Sequence, residues 1–569
     1  MVSTLDLAPW EHSAQGAGSN ADTWTQLPPL FTTAGQALDR AGRPDYFGWL
    51  DHIRAAAGCT RPIRLTGSVH TVEANTGRIL DARHTDQLPD AAIYKACGNR
   101  RGSVCPSCSR TYQRDAYQLL RAGLVGGKGV PETVSRHPAV FATFVAPSFG
   151  TVHTRRVRKH TCTDRRRCDC RPEPCHARRD AGTCSHGQPA VCWARHDRDE
   201  PLLGQPLCLD CYDHDHQAVF NLFAAELWHR TKQTAERALR KLARSRRIPF
   251  PQLVDANGKA RRVSPVRLSH GKAAEMQRRG AVHFHVLVRL DGVDSNDPAA
   301  MIPPPAGLTL DDLAQAVTDA AASTGFATPA HPDRPDGWPM AWGDEGKGKF
   351  VDIRPITLTG VGEVSDGMVA GYLAKYATKS TEATGHTTTR ITGDNVDTHA
   401  DAEGDHIARL IDACWRIGRA THTPAPLGDR PKRQPGLDTE PAGSGPPANP
   451  YARLRRWAHM LGYGGHFLTK ARRYSVTFKI LRDTRVDFRR QQERTDETAG
   501  VVRSVDHLDA ETTLIVGTLT FAGVGWHTSG DALLANTAAA MARARHEAGR
   551  EELAHEAGLQ VVASALRAA

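Results

Sequence analysis

The chain has 569 residues, enough for about three to five domains and a sizeable core. Lysine and arginine total 73 against 62 aspartates and glutamates, a net charge of +11, which favours a polyanionic partner such as nucleic acid. No run approaches the roughly 20 apolar residues of a membrane span, and the opening MVSTLDLAPWEHSAQG lacks the basic and apolar regions of a secretory signal, so a cytoplasmic location with no membrane partner is expected.

Residues 1–90 carry no clear pattern and no assignable role. From 91 to 130 a cysteine knuckle, CPSC at 105–108, runs into a helical pattern, and HPAVFATFVAPSFG (137–150) reads as an apolar strand ended by Pro147 and Gly150. Residues 151–216 are rich in Cys, His and Arg with little apolar periodicity, as expected of an insertion folded around metal. The stretch 222–247 has helical spacing and a basic face; tracking phosphates and a merely solvated face fit it equally. VHFHVLVRL (282–290) alternates as a strand. Val282, Phe284, Val286 and Val288 point one way and His283, His285, Leu287 and Arg289 the other.

A Pro-rich stretch (302–338) is expected to be a loop or linker, KFVDIRPI (349–356) another strand, DGMVAGYLAKYATKSTEAT (366–384) a helix, and 423–450 a flexible linker. In 451–490 arginines alternate with Trp457, Tyr463, Phe467 and Tyr474, a mixture suited to backbone contact with base stacking, although those rings fit a core as well. The end is an Ala-rich helical pattern.

Three groups carry chemistry. His283 and His285, neighbours on one strand face, can share a metal ion, though a half-exposed strand with solvated histidines would look the same. In GYLAKYATK, Tyr372 and Tyr376 share a helix face, as do Lys375 and Lys379. A phenol attacks a phosphodiester when a metal polarises the phosphate and an ammonium steadies the phenolate. Thirteen cysteines in a reducing compartment read as metal ligands more readily than as disulfides. Cys105 with Cys108, and Cys208 with Cys211, are two CxxC units of the kind that build a tetrahedral structural zinc site. Cys97, Cys168, Cys170, Cys184 and Cys192, with Cys162, Cys175, His186 and His196 also available, offer a second zinc site whose pairing the spacing leaves open. Cys59 and Cys414 stand alone and read as structural.

These residues resemble the HUH endonucleases, specifically the rolling-circle replication initiators of actinomycete plasmids and integrative elements. FATFVAPSFG (141–150), HFH (283–285) and GYLAKYATK (371–379) follow the family's motif order. The paired tyrosines are similar to those of the gene A proteins of small single-stranded-DNA phages. EMQRRGAVHFH (275–285), GQPLCLDCYD (204–213) and WAHMLGYGGHFLTKARRYS (457–475) also resemble the actinomycete group, and the likeness spans roughly residues 90–490.

The resemblance implies an α+β fold: an HUH-type five-stranded antiparallel sheet flanked by helices, a cysteine-rich zinc-binding insertion and a mainly helical C-terminal region. It implies an N-terminal region (1–90), a zinc-binding region (91–220), a nuclease core (221–390), a linker (391–450) and a basic DNA-binding and helical region (451–569). It also implies a third metal ligand about eight residues before HxH, where Glu275 stands, with the intervening QRRG as a turn. Mg²⁺ or Mn²⁺ is the implied ion.

The implied reaction is metal-dependent nicking and rejoining of origin DNA, acting on double- and single-stranded forms. Tyr376 is ranked as first nucleophile and Tyr372 as its partner, with Lys379 and Lys375 steadying phenolate or phosphate. The products are a 5′-phosphotyrosine and a 3′-hydroxyl for a host polymerase. Without a GxxxxGK[ST] motif a host helicase is needed. Two rival readings are a conjugative relaxase and a non-catalytic zinc-containing DNA-binding regulator.

Overall fold

The computed structural model describes residues 28–157, 172–177, 182–254, 257–343, 350–356, 365–379, 381–386, 389–419, 449–498 and 513–568. Most of the expected linker at 423–450, and Cys162, Cys168 and Cys170, lie outside the described residues. The chain divides into two compact units, Met1–Cys97 with Asp506–Ala569, and Gly98–Val505.

The first unit joins the two ends of the chain. Ile63–Thr66 pairs with both Thr520–Val524 and Ile93–Lys95, and Ser68–Glu73 pairs with both Thr513–Gly517 and Ile79–His84, all antiparallel. Trp49, Ile53, Tyr94 and Ala535 form its core, and the Arg40 guanidinium is buried between Asp90 (2.6 Å) and Asp531 (2.8 Å). Reading residues 1–90 and the C-terminal helical pattern as separate regions therefore misses a pairing between segments far apart in sequence.

The second unit is built on a five-stranded sheet in the spatial order Val351–Pro355, Ala139–Phe144, Val282–Gly292, Val266–Met276, Leu468–Lys470. Every neighbouring pair is antiparallel. The central strand Val282–Gly292 is buried along both faces except for the partly buried His283, one face apolar and the other carrying His283, His285, Arg289 and Asp291. On one face Phe284, Val286 and Val288 meet the long helix His214–Ser245 through Leu227 and Trp228, together with Leu313 and Val317 of helix Leu310–Ser323. On the other, Leu287 and Ala273 meet Leu119 and Leu120 of helix Pro106–Val125 and Leu373 and Ala374 of helix Asp366–Ala377.

That second face also carries a buried ionic network. Arg289 donates to Asp291 (2.7 and 2.9 Å) and to the Gly123 carbonyl, while Asp291 also accepts from Ser269 (2.6 Å) and pairs with His137 (2.8 Å). Tyr474 packs so closely on Gly123 that a Cβ there would lie 2.3 Å from its ring.

The third-ligand strand reaches the histidine strand through the turn at 277–281. The Gln277 amide donates to Ala281 O (2.9 Å) and the Gly280 amide to Gln277 O (2.8 Å), and Gly280 takes φ +77°, a conformation that favours glycine. Two buried histidines brace this turn. His406 Nε2 donates to Arg279 O (2.9 Å), which leaves His406 Nδ1 to accept from His214 Nε2 (3.0 Å).

Burial, with neighbouring positive groups, holds both imidazoles down to about 4 from an ordinary 6.5. The unfolded chain therefore binds more protons than the folded one between these values. The pair's contribution is complete above pH 6.5 and is lost as pH falls through about 4. We expect the melting temperature to drop across this window. A His214→Gln/His406→Gln chain should show a shallower drop in thermal unfolding followed by circular dichroism.

Candidate functional site

Register brings the predicted metal ligands together. Glu275 stands directly opposite His283 across the strand pair, and His285 is two residues on, on the same face. Glu275 Oε2 lies 2.9 Å from His283 Nε2 and 2.8 Å from His285 Nε2, and the three ligand atoms sit within 4.8 Å of one another. Burial raises the Glu275 carboxyl, but hydrogen bonds from both imidazoles outweigh it and hold the group at about 2. Burial also lowers His285, which favours the neutral imidazole that binds metal. Two nitrogens and one carboxylate oxygen converging on a point can hold a divalent cation.

The outer ring nitrogens are held too. His285 Nδ1 is 3.1 Å from Thr143 Oγ1, directly across the strand pair, and His283 Nδ1 is 3.2 Å from Gln277 Nε2. Such partners fix imidazole orientation and tune the ligands. Sequence reasoning misses both Thr143 and Gln277, although Gln277 follows Glu275 by two, the spacing of a shared strand face.

Helix Asp366–Ala377 lies over this cluster, with Ser365 accepting from the Met368 amide (3.3 Å) as N-cap. Both phenols point at it. Tyr372 Oη is 3.3 Å from His285 Nε2, and the His285 ring centre lies 5.0 Å from that of Tyr372 and 5.4 Å from that of Tyr376. The two tyrosine rings are 4.5 Å apart. Burial raises both phenols above the ordinary tyrosine value; a hydrogen bond to Tyr376 raises Tyr372 further, while the same bond works to lower Tyr376. The Lys379 ammonium sits 5.1 Å from the Tyr376 ring centre, and Lys375 is exposed one turn earlier. At the end of the helix Arg100 donates to the carbonyls of Ala377 and Lys379, matching a cation to the negative end of the dipole.

Beside the tyrosine helix, Arg110 and Arg114 of helix Pro106–Val125 line a cavity of about 370 Å³ floored by Gly371 and Ala374. A larger groove of about 910 Å³ is lined by Val145, Pro147, Arg155, Arg156, Arg278 and Gln277, and Gln277 Nε2 lies 3.2 Å from His283 Nδ1.

The basic helix lies away from the tyrosine site. Its core-facing residues pack on the sheet face opposite the tyrosines, Lys232 pairs with Glu236 (2.6 Å), and Arg246 pairs with Asp312 (2.5 Å). Tyr463, Phe467 and Tyr474 are buried at 2%, 4% and 0% exposure, so they are core and offer no stacking face.

The cysteines also pair differently from the two-knuckle reading. Cys208 and Cys211 meet Cys184 and His186, whereas Cys105 and Cys108 are buried at the start of helix Pro106–Val125. Cys192 joins His153, Cys175 and His196, so the expected grouping of Cys184 with Cys192 is not found. The physical reason is local: antiparallel bridges between His176 and Cys192 and between Thr183 and Pro189 set which side chains converge. Cys97 belongs to the first unit, where its amide donates to Cys59 Sγ (3.3 Å). Cys414 is fully buried.

The structure is thus that of a basic, mixed α+β protein with a metal-capable cluster beneath two tyrosines. The chain belongs to a family of replication initiators: residues 45–540 match the family described as "RepSA: Replication initiator protein, pSAM2". A "Replication initiator protein" of Streptomyces ambofaciens is 35% identical over 545 residues, covering 95% of this chain and 99% of that protein. No solved structure matches the chain. Among the described residues no helix is long and apolar enough to cross a membrane.

Proposed function

We propose that this replication initiator starts rolling-circle replication by nicking one strand of its origin DNA with a tyrosine nucleophile, as an HUH-type endonuclease. The observation that carries the reading is the convergence of Tyr372 and Tyr376 on the Glu275, His283 and His285 cluster. When bound there, Mg²⁺ or Mn²⁺ supplies Lewis-acid polarisation of the scissile phosphate.

The chain's own residues do the rest. Tyr376 Oη forms the bond to phosphorus and the 3′-oxygen leaves, taking a proton to become the hydroxyl from which a host polymerase extends; the phenol's proton goes to solvent. Lys379 stabilises the phenolate, and Lys375, exposed on the same helix, attracts the incoming backbone. Tyr372 serves the second cleavage that ends the cycle, while the first tyrosine still holds the old 5′ end. Arg110, Arg114, Arg155 and Arg156 attract the exposed strand along the cavities beside the site. Strand separation falls to a host helicase, and zinc bound by the Cys and His clusters has a structural role.

Single-stranded origin DNA incubated with the protein and Mn²⁺ should give a detergent-stable covalent adduct that a chelator prevents. Binding without an adduct would instead support the non-catalytic regulator. Thr143→Val and Gln277→Ala each remove a partner of a ligand's outer nitrogen. Each should raise the Mn²⁺ concentration for half-maximal cleavage by about 10- to 100-fold with DNA binding unchanged, read from metal titrations of adduct yield.

A further inference from the structure

Among the described residues from 151 to 211, the side chains that gather into metal-capable clusters come in four successive pairs. His153 and Cys175 are the first, Cys184 and His186 the second, Cys192 and His196 the third, and Cys208 and Cys211 the fourth. The first and third pairs converge in one cluster and the second and fourth in another. We infer that the described residues of this segment hold two zinc ions on alternating ligand pairs. One ion is held by His153, Cys175, Cys192 and His196, and the other by Cys184, His186, Cys208 and Cys211.

The distances fit zinc. Zinc–sulfur bonds of ~2.3 Å and zinc–nitrogen bonds of ~2.0–2.1 Å in a tetrahedron place sulfur and nitrogen about 3.5 Å apart and two nitrogens about 3.4 Å apart. In the first cluster His153 Nδ1 and His196 Nε2 are 3.1 Å apart, Cys192 Sγ is 3.5 Å from His196 Nε2, and Cys175 Sγ is 4.0 Å from His153 Nδ1. In the second, His186 Nδ1 is 3.2 Å from Cys211 Sγ and 3.8 Å from Cys208 Sγ.

The surroundings fit as well. Glu200 Oε1 lies 2.7 Å from His196 Nδ1, so the carboxylate takes that nitrogen's proton-bearing side and turns Nε2, bare, into the cluster. The Thr154 amide donates to Cys175 Sγ (3.1 Å), as it would to a thiolate. Among the described residues from Thr151 to Cys211, the buried apolar side chains besides Cys175 and Cys208 are Leu203 and Pro206. A segment with so little apolar core needs another source of folding energy, and metal supplies it.

The alternation has a structural consequence. Each ion closes a loop that contains ligands of the other, which ties the whole segment together. Its Arg278 contacts then fasten it to the catalytic turn: Arg278 donates to the carbonyls of Glu200 (3.0 Å) and Arg198 (2.7 Å). His153 and the following arginines thereby form a fixed wall of the groove that Gln277 also lines.

The test uses the full-length chain purified with zinc and alkylated with N-ethylmaleimide, each cysteine being followed by peptide mass spectrometry as chelator is added. Cys211 is exposed and Cys184 and Cys192 are only partly buried, so burial alone does not protect them. We expect all five cysteines to be protected at first. Cys175 should then become reactive in step with Cys192, and Cys184 in step with Cys208 and Cys211, while the buried Cys414 stays protected and reports that the core remains folded.

Alkylation of Cys211 or Cys184 at a free-thiol rate before chelation overturns the second site, and reactivity of Cys175 and Cys192 at different chelator concentrations overturns the pairing. Elemental analysis gives an independent arm. Cys175→Ser/Cys192→Ser and Cys184→Ser/Cys211→Ser should each hold at least one zinc fewer per chain than the unaltered protein, and an unchanged zinc content in either overturns its site. Neither arm depends on DNA cleavage, so failure of the nicking reading leaves the result legible.

Discussion

Tyr376→Phe is expected to abolish the first cleavage, with covalent adduct formation on single-stranded origin DNA slowed by on the order of 10⁴-fold or more. Tyr372→Phe should form the first adduct within about tenfold of the unaltered rate, yet fail to pass the bound strand to an acceptor oligonucleotide. The asymmetry comes from where each hydroxyl is held. Tyr372 Oη rests 3.3 Å from His285 Nε2, and burial, added to by its bond to Tyr376, makes it the harder phenol to ionise. Tyr376 has the Lys379 ammonium 5.1 Å from its ring centre and is eased by the same bond.

Phenylalanine keeps both rings and their packing, so the fold should be unaffected and circular dichroism should overlay. Single-turnover adduct yield and strand transfer are the two readouts. If the single variants show the opposite split, the two roles exchange; if the double variant still forms adduct, tyrosine is not the nucleophile.

Much of the candidate site is legible in the sequence because strands and helices impose short periods. HxH places two imidazoles on one face, the length of QRRG suits a tight turn that brings Glu275 back beside them, and YxxxY places two phenols on one helix face. Outer partners are harder to see. Thr143 reaches His285 only through a cross-strand register between segments about 140 residues apart.

The fifth strand, Leu468–Lys470, is three residues long and carries no alternation to read, and its pairing with Gly271–Ala273 draws a basic aromatic stretch into the core. That is why Tyr463, Phe467 and Tyr474 look like stacking residues in the sequence. Interleaved charge and aromatics describe a buried strand edge as well as a nucleic-acid surface, and only burial distinguishes them. The cysteine pairing is hidden for a related reason. CxxC spacing reports that two thiols are close, but which pairs share an ion depends on the bridges at His176–Cys192 and Thr183–Pro189.

Removing the central ligands should separate chemistry from binding. Glu275→Ala and His285→Ala are each expected to slow adduct formation by roughly 10³-fold, the loss of about 4 kcal/mol of transition-state charge stabilisation. Affinity for single-stranded origin DNA should change less than about threefold, because phosphate attraction comes from arginines outside the cluster.

Glu275→Ala tests the point most sharply. The carboxylate is held at about 2 by the two imidazoles, so at neutral pH it is the charge that gathers them. Without it His283 and His285 keep Gln277 and Thr143 as outer partners, and the sheet loses no apolar contact. A small change in melting temperature with a large loss of cleavage is therefore the expected pattern. Glu275→Asp, which restores the charge on a shorter arm, should recover part of the rate at raised Mn²⁺. Should Glu275→Ala cleave normally, the cluster does not hold the ion that cleavage uses; should it unfold, the carboxylate is a structural tie between the two strands.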